Sequence, residues 1–229
     1  MMSIFSIKVG IALLFSFGFF ACSHENKTPI MQPLHYLALG DSYTIGQGVE
    51  ESERWPNLLS EMLAQNGVEI AETKIIAQTG WKTSNLIQAI ADSDLTNFNL
   101  VSLLIGVNNQ FSGQSFEIFT SEFDSLLSIS IDLAGNKEKV FVVSIPDYGV
   151  TPFGNANSEN IAQEIDMYNS YIKQKCNEQN ILFIDITEIS RQLGALPGSL
   201  APDNLHPSGN QYSLWVDEIF PKVNELLTK

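Results

Sequence analysis

The sequence predicts an α/β domain: a five-stranded parallel sheet with helices on both faces. Three observations carry that expectation. Strand-like and helix-like segments alternate five times from Leu34 onward, the order a parallel sheet with crossover helices requires. Leu100 to Ile105 (LVSLLI) is an unbroken apolar run, as expected of a strand covered on both faces. Residues able to do chemistry fall just beyond the strands, where open parallel sheets hold their ligands.

Taken in order, His35 to Leu39 is a short apolar strand running into Gly40. Trp55 to Gln65 places Trp55, Leu58, Leu59, Met62 and Leu63 at helical spacing and stops at Asn66-Gly67, an ordinary helix end. Lys74 to Ala77 is the next strand, followed by Thr79-Gly80 and a helix from Thr83 to Ala91. After Leu100 to Ile105 comes a long helix with Phe116, Phe119, Phe123 and Leu126 or Leu127 along one stripe, which reads as core packing. Val140 to Ser144 and Ile181 to Ile184 are the last two strands. Between them lie an irregular Pro/Gly loop (Ile145 to Asn157) and a helix (Ile161 to Asn177). A loop from Gly194 to Pro207 leads into a final helix, Ser208 to Leu227.

The chain has 229 residues, enough for one domain with a real core and too few for two. Its 44% hydrophobic and 17% charged content describes a folded protein. The net charge is −14, a field that disfavours nucleic acid and phosphate-rich partners. Cys22 and Cys176 are the two cysteines, so a disulfide framework is excluded; Cys176 falls in a helical stretch and reads as a half-buried structural thiol. With no CxxC, HExxH or His/Cys cluster, a structural zinc or zincin site has no ligands to build it; no cofactor is expected.

The first 21 residues read as a targeting segment. Lys8 is their single charge, and Val9 to Ala21 is an apolar run too short to span a bilayer well. The run ends in Phe19-Phe20-Ala21-Cys22. That ending resembles the lipobox of bacterial lipoproteins, with Phe19 where leucine is usual, and implies a lipid on Cys22. An ordinary secretory peptide cleaved nearby is the alternative. The polar stretch from Ser23 to Pro33 reads as a tether reaching at most about 35–40 Å, with the folded domain starting near Leu34. These features place the protein at the bacterial cell envelope, held to a membrane by its N-terminus. Oligomeric state is not written in the sequence.

Three histidines are present. His24 lies in the tether, and His35 heads the first strand on the wrong edge for a site. His206 sits in the late loop Ala201-Pro202-Asp203-Asn204-Leu205-His206-Pro207. Three residues separate it from Asp203, so the carboxylate can reach the imidazole, fix its tautomer and leave Nε2 as a base. A capping aspartate beside a surface histidine would look the same. Gly40-Asp41-Ser42-Tyr43 ends the first strand, where a tight turn can present a hydroxyl that a histidine must activate; a turn capping the next helix is the plain alternative. A phosphate loop is excluded, since Gly46-Gln47-Gly48 lacks a third glycine and no G-K-[ST] follows. There is no G-x-S-x-G elbow, which argues against the α/β-hydrolase arrangement. Acyl transfer also needs oxyanion donors, and the ends of the second and third strands offer Gly80 and Asn108, beside the Ser42 amide.

Together these residues resemble the SGNH (GDSL) hydrolase family. Gly40-Asp41-Ser42 resembles its first block, Gly80 in Gln78-Thr79-Gly80-Trp81 its second, Gly106-Val107-Asn108 its third and Asp203-x-x-His206 its last. The resemblance implies a flavodoxin-like three-layer sandwich and an acyl-enzyme mechanism without metal. It also implies Ser42, Asp203 and His206 as catalytic residues, with Ser42, Gly80 and Asn108 as the oxyanion hole. Where the third block commonly reads G-x-N-D, position 109 here is Asn109, an amide that keeps the shape and loses the charge.

The expected activity is hydrolysis of carboxylic esters, short-chain or O-acetyl esters foremost. The alternatives are lysophospholipase or thioesterase action on lipid acyl groups, and a non-catalytic envelope binding module. Tyr43, Trp81, Phe111, Tyr148 and Phe153 are expected near the site, as walls of an apolar or sugar-stacking pocket or as loop packing.

Overall fold

The computed structural model describes residues 32–228, together with Met2. The expected signal segment, Cys22 and His24 lie outside the described residues. Strand β1 (Leu34–Gly40) leads through the short helix α1 (Ser42–Ile45) to α2 (Trp55–Gln65) and β2 (Ile70–Ala77). Helix α3 (Thr83–Ala91) and β3 (Leu100–Leu104) follow, then the short α4 (Val107–Phe111) and the long α5 (Phe116–Ala134). The second half runs β4 (Val140–Val143), α6 (Ser158–Gln179), β5 (Leu182–Ile184), α7 (Thr187–Leu193) and α8 (Gly209–Thr228).

The five strands form one sheet in the order β2-β1-β3-β4-β5, every neighbouring pair parallel. This is the expected flavodoxin-like order, whose reversal of winding between β1 and β3 opens a crevice at the carboxyl ends of those strands. All of β3 and β4 is buried, because α2 and α8 pack together in one layer while α5 packs against α3 and α6 in the other. Trp55, Leu59 and Leu63 of α2 and Trp215 and Ile219 of α8 are fully buried where those helices pack, and Phe119 and Phe123 of α5 are fully buried as well. Phe119 packs on Tyr168 of α6 with ring centroids 4.3 Å apart, so the aromatic stripe of α5 is core. Cys176 is fully buried rather than half-buried, because it lies on the stripe of α6 that carries Ile165, Tyr168 and Ile172 into the core.

Elsewhere the structure differs from the sequence reading in extent. Strand β2 starts at Ile70, four residues before Lys74, since an edge strand pairs through its backbone: Glu72 stays exposed, and Thr73, on the opposite face, has its hydroxyl bonded to Ser60 of α2 at 2.7 Å. Helix α7 was not foreseen at all. Its start is fixed by long-range bonds: the Ser144 hydroxyl accepts from the Ile186 and Thr187 amides at 2.8 and 3.2 Å, and a seven-residue segment has too little periodicity to announce itself. Among the described residues no helix is long and apolar enough to cross a membrane.

Candidate active site

The site grows from the carboxyl ends of β1, β2 and β3. Gly40 is paired to Ala77 on one side and Leu104 on the other, so the three strand ends lie side by side. A side chain at Gly40 would collide with Thr44 and with the Leu104 carbonyl, 2.2 and 2.5 Å from the added carbon. Glycine there lets the chain turn sharply into α1. Asp41 caps that helix, its Oδ1 accepting from the Tyr43 amide at 3.0 Å, and Gly46 ends it in the left-handed region at φ 68°. The plain capping reading therefore holds for Asp41, while Ser42 takes the first helical position. An amide there has no acceptor within its own helix, so the Ser42 N–H is free to meet a ligand.

Asp203 and His206 form one compact turn. Asp203 Oδ1 accepts from the Leu205 and His206 amides at 3.0 and 2.9 Å, and Oδ2 lies 2.6 Å from His206 Nδ1. Asn204 adopts φ 59° to close the turn, and Ala201 N donates to the His206 carbonyl at 2.8 Å. Partial burial pushes the Asp203 carboxyl up, but the bonds from the His206 ring and from the two amides outweigh it and hold the group below its ordinary value. A carboxylate so held keeps Nδ1 protonated and Nε2 free as a base. The Tyr43 ring packs on the imidazole, centroids 5.5 Å apart, and on Trp215 behind it, which adds a second constraint on ring position.

Gly80 follows β2 with φ 83°, and nothing lies within 4 Å of where a side chain would point. The Thr79 hydroxyl ties this loop to α1's, donating to Gln47 at 2.6 Å. After β3, Gly106 takes φ 127° and α4 presents Asn108, whose Nδ2 donates to the Trp81 carbonyl at 2.9 Å. One amide hydrogen is thus used for orientation and the second remains. Asn109 is fully buried beneath it. Its Oδ1 accepts from the Thr83 amide at 3.1 Å, and its Nδ2 donates to Thr83 Oγ1 and Gln114 Oε1 at 2.6 and 2.9 Å. The amide at position 109 pins the third-strand loop to α3.

These elements enclose a cavity of about 130 Å³ lined by Ser42, Gly80, Asn108 and His206, with Tyr43, Phe111, Tyr148 and Phe153 as its aromatic walls. Ser42 and His206 face one space without a hydrogen bond between their side chains, a looseness common in unliganded acid–base pairs. Trp81 is the exception among the expected aromatics: it packs against the core, and its contribution is the carbonyl that orients Asn108. His35, as expected, lies away from the site, 3.7 Å from Glu72 at the start of β1. Thr79, Val107 and Leu205 also line the cavity; they stand inside the motif blocks, but beside the residues those blocks single out, and so were not named for the site. Among the described residues no group of three or more His, Cys, Asp or Glu could hold a metal ion.

A parallel sheet of this order holds its cavity at the switch point, and the family match gives the class, an esterase/lipase-type hydrolase. The chain belongs to the GDSL-like lipase/acylhydrolase family, whose model matches residues 38–214. Its fold is that of TesA (16% identity, TM-score 0.65, covering 83% of this chain and 98% of that one). It is also that of an acetyl xylan esterase from Geobacillus stearothermophilus (19% identity, TM-score 0.62, covering 82% and 93%). Among curated proteins it is similar to the N-acylneuraminate cytidylyltransferase of Streptococcus agalactiae serotype V, 27% identical over 190 residues. That match covers 80% of this chain and 39% of the relative, so the chain spans about two-fifths of the length of the curated relatives it matches.

Proposed function

We propose that this chain is a serine esterase acting on short-chain or O-acetyl carboxylic esters. One observation carries the reading: Ser42, His206, Gly80 and Asn108 line a single cavity, and Asp203 is bonded to His206 Nδ1. In the proposed reaction His206 Nε2 takes the Ser42 proton as Oγ attacks the ester carbonyl. The amides of Ser42 and Gly80 and the free Asn108 hydrogen hold the oxyanion. His206 then gives its proton to the departing alkoxide, leaving an acyl-Ser42. Water, deprotonated by His206, attacks the acyl carbon and the acid leaves as Ser42 regains its proton. No step calls for a metal.

The acyl size follows from space. A cavity of about 130 Å³ takes up an acetyl group, whereas a fatty chain would have to leave it across Phe111 and Phe153. Acyl esters of lipids remain the rival, favoured by a membrane anchor. The cytidylyl transfer in the streptococcal relatives' name is not carried over, because the cavity lining contains no lysine or arginine to hold a nucleotide's phosphates. The location proposed with this activity is the cell envelope, through a lipid on Cys22, and Cys22→Ala is expected to move the protein from the membrane fraction to the soluble one.

The test is hydrolysis of p-nitrophenyl esters from acetate to palmitate by the full chain and by Ser42→Ala. Turnover of the acetate that vanishes in the variant supports the reading, and equal turnover by both proteins overturns it. A rate that peaks at long chains transfers the assignment to lipid esters.

A further inference from the structure

Beyond the aromatic wall of the catalytic cavity lies a second, larger one of about 420 Å³. The two meet at Phe111, Tyr148 and Phe153, which line both. Phe111 and Phe153 are the ridge between them: their rings pack 5.8 Å apart, yet they stay 57% and 55% exposed. Together they leave an apolar patch beside the reactive site, of the kind that often marks a binding surface.

The floor of the second cavity is polar and ordered. The Tyr148 hydroxyl donates to Gln110 Oε1 at 2.9 Å, Gln110 Nε2 donates to Glu164 Oε2 at 2.6 Å, and Asn160 Nδ2 donates to Glu164 Oε1 at 3.1 Å. This ladder runs from α4 to α6 and fixes the direction of each amide. Glu164 has no cation against it among the described residues, and neither cavity is lined by lysine or arginine. With a net charge of −14, such a groove repels phosphate- or carboxylate-bearing headgroups. The ladder keeps carboxylate lone pairs and amide hydrogens for a partner rich in hydroxyls, while the ridge offers flat apolar faces. A neutral pyranose has both surfaces, an apolar C–H face and a rim of hydroxyls.

We propose that this groove is a glycan subsite, binding an uncharged sugar next to the one that carries the ester. The substrate is then an O-acetylated neutral oligosaccharide that crosses the Phe111–Phe153 ridge, with its ester at Ser42. The proposal rests on the esterase reading of Ser42 for its catalytic half. Its binding half stands on the groove alone.

The experiment has two arms. Unacetylated xylo-, cello- and chito-tetraose are titrated into the full chain by calorimetry, and their O-acetylated forms are compared with the acetylated monosaccharides and p-nitrophenyl acetate as substrates. At least one tetraose is expected to bind, and its acetylated form to exceed its monosaccharide at least tenfold in kcat/KM. Ala156→Arg, which fills the groove, and Asn160→Ala, which cuts the ladder at an exposed position, are expected to raise the tetraose KM about tenfold with kcat held. Both variants should keep wild-type turnover of p-nitrophenyl acetate, which shows them folded. Absence of binding by every tetraose, or equal kcat/KM for tetraose and monosaccharide, overturns the subsite. Tetraose binding without hydrolysis of any ester leaves the subsite standing and removes the esterase reading.

Discussion

Asp41 is fully buried, and one of its two carboxylate oxygens, Oδ2, has no protein partner. Burial pushes its pKa from 3.8 to about 7, against the pull of the Tyr43 amide. The native state therefore holds a proton on Asp41 between pH 4 and 7 where the unfolded chain has released it, and stability falls as pH rises through that window. Between pH 4.5 and 8 this group alone lowers wild-type stability by about 3 kcal/mol. Asp203 acts in the opposite sense, its depressed pKa adding stability above its ordinary value that is lost as pH falls. The difference between wild type and Asp41→Asn isolates the first effect. Asparagine caps a helix as well as aspartate and keeps the acceptor for Tyr43 N, but it cannot ionise. Urea unfolding followed by tryptophan fluorescence at pH 4.5 and pH 8 gives both free energies. Wild type should gain on the variant by about 3 kcal/mol on going from pH 8 to pH 4.5. Two stability curves that run parallel across that range would falsify the buried, protonated Asp41.

Three further outcomes follow from the site and one from the core. Asp203→Asn keeps the turn but offers an N–H to His206 Nδ1, forcing the proton onto Nε2; kcat/KM for p-nitrophenyl acetate should fall by about 10²–10³, short of the ~10⁴ reported for a fully buried orienting aspartate, since this side chain is 37% exposed. Asn108→Ala removes one oxyanion donor and should cost about 10²–10³ in kcat with little change in KM; an unchanged kcat removes Asn108 from the oxyanion hole. Asn109→Asp puts a carboxylate where Thr83 has one hydroxyl proton, already given to Glu122, and urea unfolding should show a loss of about 1–3 kcal/mol. Cys176 is fully buried and burial pushes its thiol up to about 12, so a Cys22→Ser chain should bind one equivalent of a thiol reagent at pH 8 after unfolding and none before.

What the sequence disclosed and what it hid divide along sequence distance. The three-residue spacing put Asp203 within reach of His206 but looked no different from a capping aspartate beside a surface histidine; the motif set singled the pair out, and the structure puts them 2.6 Å apart. The strands were legible as apolar runs, and the sheet as their alternation with helices. Contacts between distant segments left no such mark. Phe111 and Phe153 were expected near the site, as pocket walls or loop packing, but nothing in the sequence paired them, and the fold brings their rings to 5.8 Å. Trp81 had the composition of a pocket wall, but the turn after β2 sends the ring into the core and gives the site its carbonyl. Asp41 carried a local capping signal that says nothing of burial, and in the fold its second oxygen is buried without a partner. Asn109 makes the same point at the site itself. Read along the chain it is a block residue short of a charge; in the fold, its neighbours Thr83 and Gln114 come from α3 and from the turn before α5, and both accept from it. An amide supplies those two hydrogens and a carboxylate supplies neither, so the departure at position 109 is fitted to the loop that carries Asn108.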